Sequence, residues 1–226
     1  MDNWKFIFCE GKVDLIFLAD MIEIFYSLKY EKEKKGERIT IVFPEKRIKI
    51  IEMGGLSNLQ NEIYYSQIQD NTKLNGKNII FFDADYEDKQ NGNNGFVNCN
   101  KKLDIFKRNK ELNFEHYIWP NHKDDGDIED LLVKLIPQDK QCIFDCIQTH
   151  QHCIKGTGLE NVRFTFELKN LLGYYIYTCN EDSKNEMRDY KKNHIWNIDC
   201  ENIIELKGLK NFLDIHLQIE NHPIEK

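Results

Sequence analysis

No apolar run in this 226-residue chain reaches 18 residues, so the sequence holds no candidate transmembrane helix. The opening segment, Met1-Asp2-Asn3-Trp4-Lys5, lacks the basic region and small-residue cleavage site of a signal peptide. Positive charge is also short. Lys plus Arg is 31 against 38 for Asp plus Glu, a net charge of −7. That deficit argues against attachment to nucleic acid by positive field alone. It leaves open an enzyme that meets phosphates through a divalent metal. Arginine is scarce beside lysine, so bidentate phosphate clamps are few. The seven cysteines are odd in number and come with no export signal, which points to free thiols in a reducing cytoplasm. No GxxxxGK[ST] is present, so the chain does not itself supply a P-loop ATPase. No internal repeat or low-complexity tract is visible.

What remains is a globular mixture, 41% hydrophobic and 31% charged, neither disordered nor fibrous. At roughly 100–200 residues per domain, the length allows one domain with an extension, or two small domains. A chain of this size buries about 70–75% of its unfolded surface and needs no staples.

Hydrophobic patterning gives the order of elements. Lys5-Phe6-Ile7-Phe8-Cys9 reads as a buried strand that stops at Glu10-Gly11. Residues 13–28 carry a wide apolar helical face. The charge run 30–38 reads as a solvated helix end and loop. Residues 39–43 and 48–53 read as strands of a hairpin across Pro44–Arg47. Helical spacing follows at 56–68, then the apolar strand 78–82, ending at Asp83-Ala84-Asp85. Residues 89–95 contain two Asn-Gly steps and read as a loop. A helix at 101–109, a strand at 116–119 stopped by Pro120, an acidic loop at 121–127 and a helix at 128–136 complete the series. This alternation implies an α/β fold with a mostly parallel sheet flanked by helices. Beyond Pro137 the pattern becomes helical, with helices expected at 139–152, 161–177 and 207–219 and a strand at 194–198. The reading is therefore an α/β unit at 1–137 and a C-terminal helical extension at 138–226, packed on it.

One cluster suggests a soft metal site. Cys142, Cys146 and His150 recur every four residues, on one helical face, with His152 and Cys153 nearby. Zinc sites favour two separated pairs joined by a turn, so buried structural thiols are the stronger reading.

The stronger chemical signal is acidic. In open parallel sheets, ligands bind at the carboxyl ends of the strands. Glu10 ends the first strand, Asp83 and Asp85 end the third core strand, and Asp124, Asp125, Asp127 and Glu129 follow the fourth. Asp14 lies four residues beyond Glu10. Strand alternation puts Asp83 and Asp85 on the same side while strand geometry lasts. Adjacent carboxylates repel unless a cation lies between them, and hard oxygen donors suit Mg²⁺ or Mn²⁺. The bland alternative is a solvated strand end with turn-forming Asp. Gly11 permits a tight strand-to-helix turn that aims a helix N-terminus at an anion. Lys12, in the same turn, is within reach of a phosphate; alone it reads as an exposed charge.

"IFCEGKVD" followed about 70 residues later by "IIFFDADYED" resembles the Toprim domain of topoisomerases, primases, recombination factors and OLD-type nucleases. The resemblance covers about residues 4–136. "HYIWPNHKDDGDIEDLL" is similar to small stand-alone bacterial Toprim-like proteins. The resemblance implies a metal-dependent nuclease. Glu10 would be a metal ligand or general acid/base, Asp83 and Asp85 the metal-binding pair, and Asp14 a helper for a second metal. Gly11 matches the turn glycine. Asp127 and Glu129 form a second rank of candidates, equally explained as an N-cap and a first-turn acid. Lys169 in "FELKNLLGYY" loosely matches a lysine that assists the reaction in the nuclease branch; alone it reads as an exposed structural residue. No Tyr can be assigned a covalent role, so water is the expected nucleophile. The substrate would be DNA or RNA. The resemblance also implies an ATPase partner and a role in phage defence.

Two rivals stand beside this reading. A catalytically silent Toprim-like module would bind a nucleotide or a partner protein. A nucleotide-sugar glycosyltransferase also uses DxD after an apolar strand, but has no need of Glu10-Gly11. A haloacid-dehalogenase phosphatase places its DxD on the first strand, unlike this chain.

Overall fold

The computed structural model describes residues 3–35, 38–90, 92–180 and 189–219. Its strands are β1 (Lys5–Cys9), β2 (Glu31–Lys35), β3 (Arg38–Phe43), β4 (Ile48–Glu52), β5 (Lys77–Asp83) and β6 (Glu115–Trp119). Its helices are α1 (Lys12–Tyr26), α2 (Glu62–Lys73), α3 (Phe96–Asn109), α4 (Ile128–Lys134), α5 (Gln141–Gly156), α6 (Leu168–Cys179) and α7 (Ile204–Leu217). The strands form one sheet in the order β2-β3-β4-β1-β5-β6. The pairs β4–β1, β1–β5 and β5–β6 are parallel, and β2–β3 and β3–β4 are antiparallel. The fold is thus α/β with a mostly parallel sheet flanked by helices.

The central strands are apolar on both faces because both faces are covered. Ile7, Cys9, Ile79 and Phe81 face one hydrophobic cluster; Phe8, Ile80 and Phe82 face the other. The first cluster takes Phe17 from α1, Leu131 from α4 and Leu171, Trp196 and Leu213 from the C-terminal segment. The second takes Ile68 from α2 and Cys99 and Leu103 from α3. Strands β1, β5 and β6 run parallel, so Cys9, Asp83 and Trp119 bring their following loops to one end of the sheet.

Several local expectations change. The charge run after α1 is not a loop. Residues 31–35 form β2, an edge strand held antiparallel to β3, where the charged side chains of 31–34 are exposed. The expected strand at 194–198 is absent. Ile195 and Trp196 donate backbone hydrogen bonds to Lys192 O in a turn, and Asn197 N–H reaches Leu135 O at 2.7 Å. Helix α6 starts at Leu168, not 161. The preceding segment is instead held by Gln151 Oε1, buried on α5, which accepts the Thr165 N–H. On α5 the buried positions are Phe144 and Gln151, so Cys142, Cys146 and Cys153 point outward, contrary to the expectation of buried thiols.

Candidate functional site

The β1 end is fixed by its neighbour. Met53 N–H bonds Cys9 O at 2.8 Å and Gly54 N–H bonds Glu10 O at 2.9 Å. The Gly54-Gly55 turn therefore lies beside Glu10, and a Cβ at Gly55 would stand 3.6 Å from Glu10 Oε1. Gly11 caps α1, and its N–H donates to Asp14 Oδ2 at 3.1 Å. Asp14 is 3% exposed, and its Oδ1 accepts the Trp119 indole N–H at 2.7 Å. Lys12 stands exposed in the first turn of α1.

The Asp83-Ala84-Asp85 segment sends its two carboxylates to different partners. Asp83 ends β5, and its Oδ1 accepts the Ile128 N–H at the start of α4, at 2.9 Å. Asp85 lies past the strand end with a left-handed φ of 58°. Strand alternation therefore stops before it. Its backbone pairs with Gly126, and its Oδ2 accepts the Asn93 N–H at 2.8 Å. Gly126 has φ 128°, and a Cβ there would meet Asp130 Oδ2 at 2.5 Å, so glycine is required for this pairing.

The loop after Asp85 is tied down over the strand ends. Asn93 Nδ2 donates to Asp83 O at 2.7 Å, and Gly95 N–H to Ala84 O at 3.1 Å. Lys89 forms a close ion pair with Asp85 and a 3.7 Å pair with Asp127. Asp127 is the N-cap residue of α4, as its alternative reading required, and its N–H donates to Asp130 Oδ2 at 2.9 Å. Glu129 is buried in the same turn. Lys169 is exposed on α6, whose packing partners are α5 and α4.

Electrostatics join these groups into one cluster. Burial raises the Glu10 pKa and the Asp85 charge adds to it, against the Asp83 backbone N–H and Lys89. Burial, then the Glu10 charge, lifts Asp14 from its ordinary 3.8 to about 7. Burial pushes Asp83 well up, with repulsion from Asp14, Glu10, Asp127 and Glu129. Burial, then Glu129 and Asp130, raises Asp127 to about 6. Lys89 loses hydration, but its bond to Asp85 and the charges of Asp85, Asp127 and Asp83 raise its pKa overall.

Sequence reading singled out the acids and put the 89–95 loop beside them, but missed the contacts that Lys89, Asn93 and Trp119 make. Only the fourth-residue spacing from Asp85 to Lys89 hinted at a pair; the other two join through the fold.

Among the described residues, no group of three or more His, Cys, Asp or Glu stands ready-made to hold a metal ion. Two buried carboxylate oxygens, Glu10 Oε2 and Asp127 Oδ1, nevertheless have no hydrogen-bond partner. An unpartnered buried acceptor costs about 1–3 kcal/mol, more when charged. Such oxygens are the hard donors that Mg²⁺ or Mn²⁺ takes. Glu10 feels the charge of Asp85, and Asp83 those of Glu10 and Asp127, so these are the acids that meet at the strand ends. Glu10 and Asp85 also line an open cleft of about 530 Å³, which runs outward between Gly55–Gln60 and α3.

A comparison with curated proteins finds no match. Among solved structures, the chain is similar to hypothetical protein PH0156 from Pyrococcus horikoshii OT3, with a TM-score of 0.50 and 12% identity over 96% of this chain and 91% of that one. At that identity the likeness speaks to the fold alone. Residues 5–215 match the family described as "Protein of unknown function (DUF3226)", and the chain belongs to that family.

Proposed function

We propose that the chain is a metal-dependent phosphodiesterase acting on DNA or RNA, with a Toprim-like site. The supporting observation is the gathering of Glu10, Asp14, Asp83 and Asp127, all with raised pKa values, at adjacent strand ends. Buried carboxylates that raise one another's pKa form a site short of positive charge. Lys89 is the cation among the causes of the Glu10 and Asp127 shifts.

A divalent ion bound there supplies charge stabilisation at the phosphoryl oxygens and lowers the pKa of an attacking water. Glu10, Asp83 and Asp85 would hold it, with Asp127 and Glu129 as further acids of the same cluster. In the metal-free fold burial and the Asp85 charge raise the Glu10 pKa, which suits Oε2 to accept or return a proton. Asp14 is locked by the Trp119 indole and the Gly11 N–H, so it orients the Glu10-Gly11 turn. Gly11 and Lys12 offer the α1 N-terminus to a phosphate. The net charge of −7 suits delivery of nucleic acid by a partner such as an ATPase, in the manner of Toprim nucleases of phage defence. All seven cysteines are free thiols, which suits a reducing cytoplasm.

Labelled single- and double-stranded DNA and RNA, incubated in Mg²⁺, Mn²⁺ or EDTA, test the reading. Cleavage should be lost in EDTA and in Asp83→Ala and Glu10→Ala. Undiminished cleavage by both variants would reject this site. One observation favours a second reading, a catalytically silent binding module: Lys89 already stands between Asp85 and Asp127. Folded protein that shows neither cleavage nor Mg²⁺ binding would support it.

A further inference from the structure

The cleft beside the acids has a polarity of its own. Its inner end is Glu10 and Asp85; its outer wall is Leu56, Ile105 and Phe106, with Lys102 along the rim. The volume of about 530 Å³ falls within the roughly 300–1,000 Å³ typical of small-molecule sites. Ile105 is 39% exposed, an apolar side chain left open on α3. Phe106 is anchored against the second hydrophobic cluster and still lines the cleft. Lys102 Nζ donates to Asn93 O at 3.0 Å, which fixes the rim to the loop that covers Asp83 and Asp85. A ligand matching this layout has a flat apolar body at one end and a group that coordinates with the acids at the other.

We infer that this cleft holds a single nucleotide unit of a nucleic-acid strand. The base lies against Leu56, Ile105 and Phe106, and the phosphate is presented toward Glu10 and Asp85 with its metal. The inference rests on the proposed phosphodiesterase reading and names the part of the substrate that the site grips. Stacking on an aromatic side chain tolerates every base, because every base has a π-face. The grip is therefore on nucleotide shape, not sequence. Lys102, in the lining of the same cleft, is the cation that would meet a neighbouring phosphate of the strand.

Calorimetric titration of the full chain with adenosine 5′-monophosphate, thymidine 5′-monophosphate and ribose 5-phosphate, each in Mg²⁺, tests this. Both nucleotides should bind, and ribose 5-phosphate at least about tenfold more weakly, the scale of one stacking contact. Ile105→Ala and Phe106→Leu should each weaken nucleotide binding while leaving ribose 5-phosphate unchanged; Phe106→Leu keeps an apolar side chain in the cluster, and thermal melts verify folding. Equal binding of nucleotides and ribose 5-phosphate, no nucleotide binding, or unaltered binding by both variants would overturn the inference. Cleavage dependent on Glu10 and Asp83 without nucleotide binding removes the cleft proposal alone. Nucleotide binding sensitive to Ile105→Ala, in protein that never cleaves, supports the cleft and removes the nuclease reading alone.

Discussion

The Trp119 indole donates to Asp14 Oδ1 at 2.7 Å, joining the end of β6 to the first turn of α1 across 105 positions of sequence. The bond compensates only part of the cost of burying Asp14. Burial and the Glu10 charge still raise its pKa from 3.8 to about 7. Between those values the folded protein keeps a proton that the unfolded chain has released. Stability therefore falls as pH rises through this window. Asp14→Asn cannot titrate, so the metal-free variant should lose less stability than wild type between about pH 5 and about pH 8. Urea midpoints at the two pH values measure the difference. Parallel profiles would show that Asp14 is ionised throughout.

The acids of the loop 121–127 divide into different roles. Asp125 is exposed, and its Oδ1 accepts the Phe96 N–H at 2.6 Å, capping α3 from the far loop. The N-cap position itself is Gly95, with φ 85° and no side chain to offer. Asp125→Ala should therefore cost about 1 kcal/mol, the usual scale of a lost cap. It should leave Mg²⁺ affinity unchanged. Denaturant melts and calorimetry on the same variant check both halves. A loss of metal affinity at full stability would move Asp125 into the site.

How much of this was legible in the residues follows from where each contact is made. The strands at 5–9 and 77–83 are readable because parallel strands covered on both faces leave near-continuous apolar runs. Glu10, Asp83 and Asp85 were readable as strand-end acids for the same reason: their positions depend on local sequence. The edge strand Glu31–Lys35 was not, since one hydrogen-bonded side and a charged surface give no apolar alternation. The strand expected at 194–198 failed differently. Ile195 and Trp196 are buried by a turn, and a short apolar pair does not distinguish turn from strand. The first turn of α3 escaped because its cap lies 29 positions away. Lys89 escaped because the left-handed backbone at Asp85 determines what it meets.

Metal binding to the acid cluster should stabilise the fold. A ligand at 100 times its Kd adds about 2.7 kcal/mol, or roughly 5–10 °C in Tm for a chain of this size. Mg²⁺ or Mn²⁺ should raise the wild-type Tm on that scale, and EDTA should return it. The rise should vanish in Asp83→Asn and shrink in Glu10→Gln. Equal shifts in wild type and both variants would place any bound metal elsewhere.

Lys89 makes the opposite prediction. It pairs with Asp85, whose side chain is 10% exposed, and lies 3.7 Å from Asp127, while its own side chain is 48% exposed. An ammonium in that position competes with a divalent ion for the same oxygens. It also lowers the pKa values of Glu10 and Asp127. Lys89→Met should therefore weaken the metal-free fold, by about 1 kcal/mol given the solvent screening at so exposed a lysine. The penalty should be larger at about pH 8 than at about pH 5, because Asp127, with a pKa near 6, takes up a proton at the lower pH and no longer needs the cation. The same substitution should tighten Mg²⁺ binding by removing the competitor. Calorimetric titration of Lys89→Met and Glu10→Gln side by side should give changes of opposite sign. If Lys89→Met instead binds Mg²⁺ more weakly, the lysine and the ion do not share a place, and Lys89 supports the site rather than guarding it.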